Sequence, residues 1–276
     1  MKEMAIKALI VLTILIGVYV LASFLLYSFQ KKFIFHPSSQ KADISSLQEK
    51  IKDVKEITYR LPNGKEVYAW YLKPQKNKKL IVFFHGNRGN LSTNTTQLPY
   101  FQKQGFGFLL PEYEGFGGIK GSLSQQELEQ DAKTALLWAL SNGYKAKDII
   151  IYGHSLGTFV ATSAANFMAT EQEPVHALVL EAPFYSLIDM AKYMFGNIFP
   201  YDLLLADKFE TDKLISNIKT RLYIGHGKND PVIPYTQGLK LYDKAPHPKV
   251  FFSDDTADHH QLPKKGFIDA VLEDTE

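Results

Sequence analysis

The chain has 276 residues, of which 45% are hydrophobic and 22% are charged, so it can bury one sizeable core. Its formal net charge of +2 is too small to predict a nucleic-acid partner. The chain contains no cysteine, which excludes disulfides, a thiolate nucleophile and cysteine metal ligands.

Residues 8–27 are apolar on nearly every side and are long enough to cross a bilayer core as a helix. Two interpretations remain open for this segment. It is either an uncleaved signal anchor or a secretory signal peptide with a weak cleavage match at V-L-A, residues 20–22. The length of the apolar run favours the anchor. We therefore predict an anchor at residues 1–29, a polar tether at 30–55 and a catalytic domain at 56–276.

The orientation of the anchor is weakly encoded, because lysines flank the apolar segment almost equally on its two sides. The short tail before the segment favours an N-terminus in the cytoplasm. We therefore expect the folded domain on the non-cytoplasmic side of the membrane.

Extended and helical patterns alternate from residue 57 onward. Segments 57–61 and 67–72, joined by the turn P-N-G, predict a β-hairpin. The alternation predicts an α/β fold with about eight strands in a mostly parallel sheet covered on both faces by helices. Six further apolar runs predict buried strands: 80–84, 107–110, 148–152, 177–180, 221–224 and 249–252.

Three helices have recognisable ends. A capping box at residues 124–127 opens a helix that runs through Leu140. Small residues characterise a second helix over residues 158–168, and the last helix is predicted over residues 261–272. Between residues 183 and 214 lies an aromatic, apolar stretch that either forms a small cap with an acyl-binding wall or packs into the core.

The pentapeptide G-H-S-L-G at residues 153–157 stands between a predicted strand and a predicted helix, which is the context of a nucleophile elbow. Such an elbow holds its serine in a strained conformation, and Gly153 and Gly157 allow the close helix–strand approach that the turn requires. Ser155 is therefore the candidate nucleophile. The backbone N–H of Leu156, at the positive end of the helix dipole, is a candidate oxyanion donor.

Ligands of such sheets bind beyond the carboxyl ends of the strands, so the loops that follow the strands are the ones to search. The loop H-G-N-R-G-N at residues 85–90 can supply a second oxyanion donor from the backbone N–H of Asn87. We expect His85 to orient this loop rather than to act as a base. Asp230, in the loop after residue 224, fits the Ser…Asp…His order of such hydrolases and is the candidate acid.

The loop at residues 253–262 contains two adjacent histidines, His259 and His260. Only one of two neighbouring side chains can face both the serine and the acid, and His259 is the preferred candidate. A metal site in this histidine- and aspartate-rich loop is an alternative, although no suitably spaced partner such as H-x-x-x-H is present.

These motifs resemble those of α/β-hydrolase superfamily serine hydrolases, in particular the single-pass membrane-anchored branch that includes depalmitoylating thioesterases and lipase-like enzymes. The resemblance covers nearly the whole chain. It implies an α/β-hydrolase fold with a small cap or none, Ser155 as nucleophile, Asp230 as acid and Asn87 as an oxyanion donor. His259 then fits the family register that ends in Leu262. The motifs are F-H-P (35–37), F-F-H-G-N-R-G-N (83–90), G-H-S-L-G (153–157), E-A-P-F (181–184) and H-G-K-N-D (226–230).

The chain departs from the family pattern in three places. Glu114 replaces a basic residue in the family's D-Y-R-G turn, Thr158 replaces a glycine after the elbow, and A-D at residues 257–258 replaces a glycine-rich approach to the histidine. No triad member is lost, so these departures bear on substrate preference.

Taken with the resemblance, the residues predict a serine hydrolase that cleaves esters or thioesters with an apolar acyl part. The expected partners are a small-molecule or lipid-like acyl substrate and the membrane, reached through residues 8–27. No cofactor, metal or nucleic acid is required. A membrane-associated serine peptidase and a non-catalytic, membrane-tethered binding protein are the alternatives.

Overall fold

The computed structural model describes residues 1–275. The strands in chain order are β1 (His36–Pro37), β2 (Lys55–Arg60), β3 (Glu66–Leu72), β4 (Leu80–Phe84), β5 (Arg88–Gly89), β6 (Gly107–Pro111), β7 (Ile149–His154), β8 (Ala177–Glu181), β9 (Arg221–Gly227) and β10 (Lys249–Asp254). The helices are α1 (Lys2–Ile34), α2 (Ser45–Gln48), α3 (Leu98–Lys103), α4 (Gln125–Ser141), α5 (Leu156–Thr170), α6 (Leu187–Phe195), α7 (Tyr201–Leu204), α8 (Thr211–Ile215), α9 (Tyr235–Lys244) and α10 (Phe267–Asp274). Short 3-10 helices cover Leu91–Thr93, Ala146–Asp148 and Leu262–Lys265.

Eight of these strands form one sheet in the order β10-β9-β8-β7-β4-β6-β3-β2. The strands from β10 to β6 run parallel, whereas β3 pairs antiparallel with β6 and β2 pairs antiparallel with β3. The strands β4, β6, β7 and β8 are buried along their whole length, because helices cover both faces of a parallel sheet. The predicted α/β architecture of about eight mostly parallel strands is confirmed.

The core divides into two clusters, one on each face of the sheet. Alternate residues of β4 separate into them: Val82 and Phe84 belong to one cluster, whereas Ile81 and Phe83 belong to the other. This separation follows from the two-residue side-chain period of a strand. It explains why the central strands are continuous apolar runs in the sequence.

The N-terminal helix α1 is longer than the predicted segment 8–27. It has 33 residues, only Gln30 among them is buried, and by length and composition it could cross a membrane. The helix continues into the region predicted as a tether. Phe35, directly after it, is buried in the core, and β1 pairs in parallel with β5 beside β4. The first residues after α1 therefore pack into the folded domain and do not form a free connection.

Helices α6 and α7, with the loop between them, form a small cap over residues 187–205. Three cap residues, Ile188, Tyr201 and Leu205, make a small apolar cluster of their own, and Leu26 of α1 packs against it. Other side chains of this stretch, including Met190, pack against the main core. The stretch thus contributes both to a small cap and to core packing.

The prediction of one continuous last helix over residues 261–272 was wrong. The segment instead forms the 3-10 helix Leu262–Lys265 and, after it, α10. Gly266 separates the two with a left-handed backbone conformation (φ 84°), which ends the first helix and changes the direction of the chain. His260 therefore lies in a turn before the 3-10 helix and not at the start of an α-helix.

Candidate active site

Ser155 lies in the turn between β7 and α5 and has φ 56° and ψ −123°, a conformation that non-glycine residues rarely adopt. The glycines on either side make the turn possible. A Cβ on Gly153 would collide with the carbonyl oxygen of Gly157, and one on Gly157 would collide with the carbonyl oxygen of Phe84. The elbow therefore packs α5 directly against the ends of β7 and β4. The strained backbone is the geometry expected for a nucleophile at the carboxyl edge of the sheet.

The side chains of Ser155, His259 and Asp230 form one hydrogen-bonded series. The Oγ atom of Ser155 lies 2.9 Å from Nε2 of His259, and Nδ1 of His259 lies 2.7 Å from Oδ2 of Asp230. The three residues follow the ends of β7, β9 and β10. Asp230 comes 75 positions after Ser155, and His259 comes 29 positions after Asp230. Parallel strands bring them together because their carboxyl ends meet at one edge of the sheet.

Asp230 is held in place by its own loop. Its Oδ1 atom accepts hydrogen bonds from the backbone N–H groups of Val232 (2.8 Å) and Ile233 (2.9 Å). Burial alone would raise the pKa of the Asp230 carboxyl, but hydrogen bonds from His226 and His259 and the charge of His259 hold that pKa below its ordinary value. Asp230 is therefore ionised across the neutral range and is suited to orient an imidazole.

The two adjacent histidines diverge. His259 is buried and faces Ser155 and Asp230, whereas His260 is exposed and its backbone N–H donates to Asp258 Oδ1 at 2.9 Å. The structure thus brings His259, and not His260, to the predicted nucleophile and acid. Within residues 1–275, no group of three or more His, Asp or Glu side chains is arranged to hold a metal ion.

His154, the second residue of the elbow, is a site residue that sequence reasoning missed. Its Nε2 atom lies 3.0 Å from the backbone carbonyl oxygen of His259, and its ring packs 5.0 Å from the ring of His259. Burial, with the nearby charge of His259, lowers the pKa of His154 to about 3, so the ring is neutral and Nε2–H donates to that carbonyl. Nothing in the G-x-S-x-G pattern signals this role, because the position tolerates many residue types.

The loop between β4 and β5 passes directly over the serine. A Cβ placed on Gly86 would stand 3.4 Å from Cβ of Ser155. Within the described residues, the backbone N–H groups of Asn87 and Leu156 make no hydrogen bond. These two N–H groups are the predicted donors to a carbonyl oxygen at the serine.

Three buried acidic residues, Glu112, Glu114 and Glu181, lie in the elements around the candidate site. The Glu112 carboxyl lies 2.9 Å from His85 Nε2 and accepts a hydrogen bond from the backbone N–H of Leu91 (3.1 Å), and His85 Nδ1 lies 2.8 Å from the Gly86 carbonyl oxygen. His85 is fully buried, as a residue that orients the loop should be. Glu114, which stands where the family pattern has a basic residue, is also buried. It pairs at 2.5 Å with Lys65, in the turn between β2 and β3, and this pairing neutralises its charge.

Glu181, at the end of β8, is the third of these buried carboxyls. Its carbonyl oxygen accepts the backbone N–H of Ser155 at 3.0 Å, which ties it to the elbow. Its Oε2 atom accepts from the Tyr152 hydroxyl (2.5 Å) and from Gln97 Nε2 (2.9 Å), while Oε1 has no partner within residues 1–275. Burial raises the pKa of Glu181 to about 7 despite these hydrogen bonds.

The chain is similar to known proteins in sequence and in fold. The family model described as serine aminopeptidase, S33, matches residues 75–205. The uncharacterized protein R595 of Acanthamoeba polyphaga mimivirus is 31% identical over 210 residues, which cover 66% of this chain and 71% of that protein. The alpha-beta hydrolase of Vibrio vulnificus has a similar fold, with a TM-score of 0.72, 20% identity and coverage of 85% of this chain and 87% of that one.

The chain belongs to the α/β-hydrolase superfamily. A second relative, the lysophosphatidylserine lipase ABHD12 of Danio rerio, is 30% identical over 195 residues. The match covers 65% of this chain and 51% of the lipase, so this chain spans about half the length of that relative.

Proposed function

We propose that the chain is a membrane-anchored serine hydrolase that cleaves carboxylic esters or thioesters with an apolar acyl part. The observation that carries the proposal is the hydrogen-bonded series from Ser155 through His259 to Asp230, with distances of 2.9 and 2.7 Å and the serine in a strained elbow. A binding protein has no need of a strained serine beside an oriented imidazole.

In the acylation step, Oγ of Ser155 attacks the substrate carbonyl carbon while Nε2 of His259 takes the hydroxyl proton. The carbonyl oxygen becomes an oxyanion and accepts hydrogen bonds from the backbone N–H groups of Asn87 and Leu156. The tetrahedral intermediate then collapses and expels the alcohol or thiol, which receives the proton from His259. The products are the free leaving group and an acyl-serine ester.

In the deacylation step, water replaces the leaving group. His259 takes a proton from the water, the resulting hydroxide attacks the acyl carbon, and a second oxyanion occupies the same two N–H groups. Collapse returns the proton to Oγ of Ser155 and releases the carboxylic acid. Asp230 keeps the imidazole in the required tautomer and stabilises its cationic form in both steps.

The membrane anchor is supported by α1, whose residues 8–27 match the thickness of a bilayer core. Cleavage near residue 22 would remove Tyr19, whose hydroxyl donates to the Ile198 carbonyl oxygen at 3.1 Å. Retention of α1 therefore keeps a contact that cleavage would lose. We propose that the helix stays attached and places the catalytic domain on the non-cytoplasmic side. The mass of the mature N-terminal peptide tests retention, and resistance to alkaline carbonate washing of membranes tests integration.

The proposed activity is tested by covalent labelling with a fluorophosphonate probe. We expect the full-length chain to be labelled and Ser155→Ala to remain unlabelled with the same fold by circular dichroism. Labelling of both proteins would show that the nucleophile is a residue other than Ser155. Labelling of neither would favour a binding protein.

A peptidase is the second candidate, because the matching family model is described as a serine aminopeptidase. A panel of nitrophenyl esters of graded chain length, acyl-thioesters, a lysophospholipid and aminoacyl amides separates the candidates. We expect turnover of the longer acyl esters or thioesters. Turnover restricted to amides with a free amino terminus would favour the peptidase.

A further inference from the structure

The cap lies alongside α1 instead of only covering the catalytic domain. Midway along α1, the Tyr19 hydroxyl donates to the backbone carbonyl of Ile198 at 3.1 Å, and the Tyr19 ring stacks on Phe199 at 5.4 Å between centroids. These contacts join the loop between α6 and α7 to the middle of the apolar helix.

A second set of contacts joins the base of the cap to the end of α1. Nε2 of Gln30 donates to the carbonyl oxygen of Leu204 at 3.1 Å, and its Oε1 accepts the N–H of Ala206 at 2.8 Å. Gln30 is buried by these contacts. The cap is therefore attached to α1 at two levels that are eleven residues apart along the helix.

The two levels set the depth of the cap relative to the apolar segment 8–27. Tyr19 lies eight residues inside the end of that segment, which at 1.5 Å per residue is about 12 Å. Gln30 lies three residues outside the same end, or about 5 Å from it. If residues 8–27 span the hydrocarbon core, the loop that contacts Tyr19 must lie well within that core.

The cap carries apolar side chains suited to such an environment. Within residues 35–275, five of the eight large apolar side chains that are exposed lie in the short stretch 193–203. The only charged residue between positions 193 and 205 is Asp202. A cluster of this kind marks an interaction surface. The five side chains are Tyr193, Met194, Phe195, Ile198 and Leu203.

We propose that the cap inserts into the lipid leaflet on the domain side of α1 and that these five side chains contact acyl chains of the bilayer. The occupant is lipid because the stretch 193–203 contacts the exposed apolar helix α1 through Ile198 and Phe199. The inference rests on the proposed anchor. Because the chain reaches the cap directly from β8, whose Glu181 carbonyl oxygen accepts the N–H of Ser155, insertion brings the candidate site close to the membrane surface.

The absence of cysteine from the chain allows a clean test with single-cysteine variants of the full-length protein. Ile198→Cys reports the deep part of the cap and Leu203→Cys the shallow part. Val18→Cys, at nearly the depth of Tyr19 on α1, is the matched membrane control, and Leu137→Cys, exposed on α4, is the aqueous control. Each thiol is labelled with an environment-sensitive fluorophore. The protein is then reconstituted in phosphatidylcholine vesicles that carry a nitroxide near the headgroup or near the acyl-chain end.

We expect the label at position 198 to be quenched by the deep nitroxide as strongly as the label at 18. The label at 203 should respond more to the shallow nitroxide, and the label at 137 only to aqueous iodide. Iodide quenching at 198 and 203, with lipid quenching at 18, would overturn the inserted cap and leave the anchor intact. Quenching at 198 by neither agent would indicate cover by protein and would also overturn it. Iodide quenching at 18 would overturn the anchor, and the inserted cap with it.

Discussion

The side-chain amide of Asn87 donates a hydrogen bond of 2.6 Å to the backbone carbonyl of Ile34, the last residue of α1. In return, the backbone N–H of His36 donates to the Asn87 carbonyl oxygen at 2.9 Å. Asn87 carries the proposed oxyanion donor, so the end of α1 and the candidate site share one hydrogen-bonded junction. The segment after α1 thus positions a loop that the chemistry needs.

The first prediction compares two shortened chains. A chain that begins at residue 38 lacks Ile34, the buried Phe35 and β1, whereas a chain that begins at residue 30 retains all three. We expect the shorter chain to hydrolyse a soluble short ester at least about tenfold more slowly, because its oxyanion loop is no longer held. The loss of Phe35 packing should also lower its free energy of unfolding by about 3 kcal/mol.

Steady-state kinetics and urea unfolding of the two shortened chains supply the measurements. In the full-length chain, Asn87→Ala keeps the backbone N–H and removes only the bond to Ile34, so it should reduce kcat in the same direction. Equal kcat values for both shortened chains would show that the junction does not position the loop.

The second prediction concerns the adjacent histidines. His259→Ala should lower kcat/KM for an ester at least about a thousandfold, because the proton of Ser155 then has no acceptor. His260→Ala should cost at most about tenfold, or about 1.4 kcal/mol, since that side chain is exposed and packs on the rings of His154 and His259 instead of linking Ser155 to Asp230. The reverse ranking, measured on folded variants, would transfer the base to His260.

The third prediction treats His154 as a positioning residue. Its ring holds the backbone carbonyl of His259 at 3.0 Å, so His154→Ala should lower kcat about tenfold while KM stays nearly unchanged. Burial and the nearby charge of His259 lower the pKa of His154 to about 3, so its titration contributes nothing to the activity profile above pH 5. The shape of the pH profile should therefore survive the substitution. A shifted profile with unchanged maximal kcat would contradict the positioning role.

The fourth prediction concerns stability and pH at Glu181. Burial raises the pKa of this carboxyl from 4.5 to about 7 in the folded protein. Between those values the unfolded chain loses the proton first, so the free energy of unfolding should fall as pH rises from about 4.5 to 7 and then level off. A pKa difference of this size corresponds to a fall of about 3 kcal/mol.

Glu181→Gln keeps the shape of the protonated side chain and removes its titration. In detergent-solubilised full-length protein, the stability of this variant relative to the unsubstituted chain should therefore increase between pH 5 and pH 8. Glu273→Gln, an exposed carboxyl on α10, serves as the control and should leave the pH dependence unchanged. Parallel pH curves for the chain and Glu181→Gln would show that Glu181 is not held protonated.

Local patterns were sufficient for much of the architecture. The runs at residues 80–84 and 149–152 are aliphatic and aromatic with no polar interruption, which favours a strand buried on both faces. Ser124 accepts the N–H of Glu127, as the capping box predicts. Such features depend on residues within a few positions of one another. The break in the last helix could not be predicted in this way. The residues around Gly266 are compatible both with a helix that continues and with one that ends there.

For this protein, the sequence by itself determined the alternation of strands and helices, the elbow around Ser155, the apolar segment at residues 8–27 and a short set of candidate site residues. Only the tertiary structure decided which histidine faces the serine, since His259 and His260 differ by loop geometry and not by residue type. It also revealed that His154 holds the backbone of His259, that α1 ends against the loop of Asn87 and that the cap lies along α1. These contacts join residues from 53 to 179 positions apart, and no local pattern encodes them because they depend on how the sheet brings distant loops to one edge.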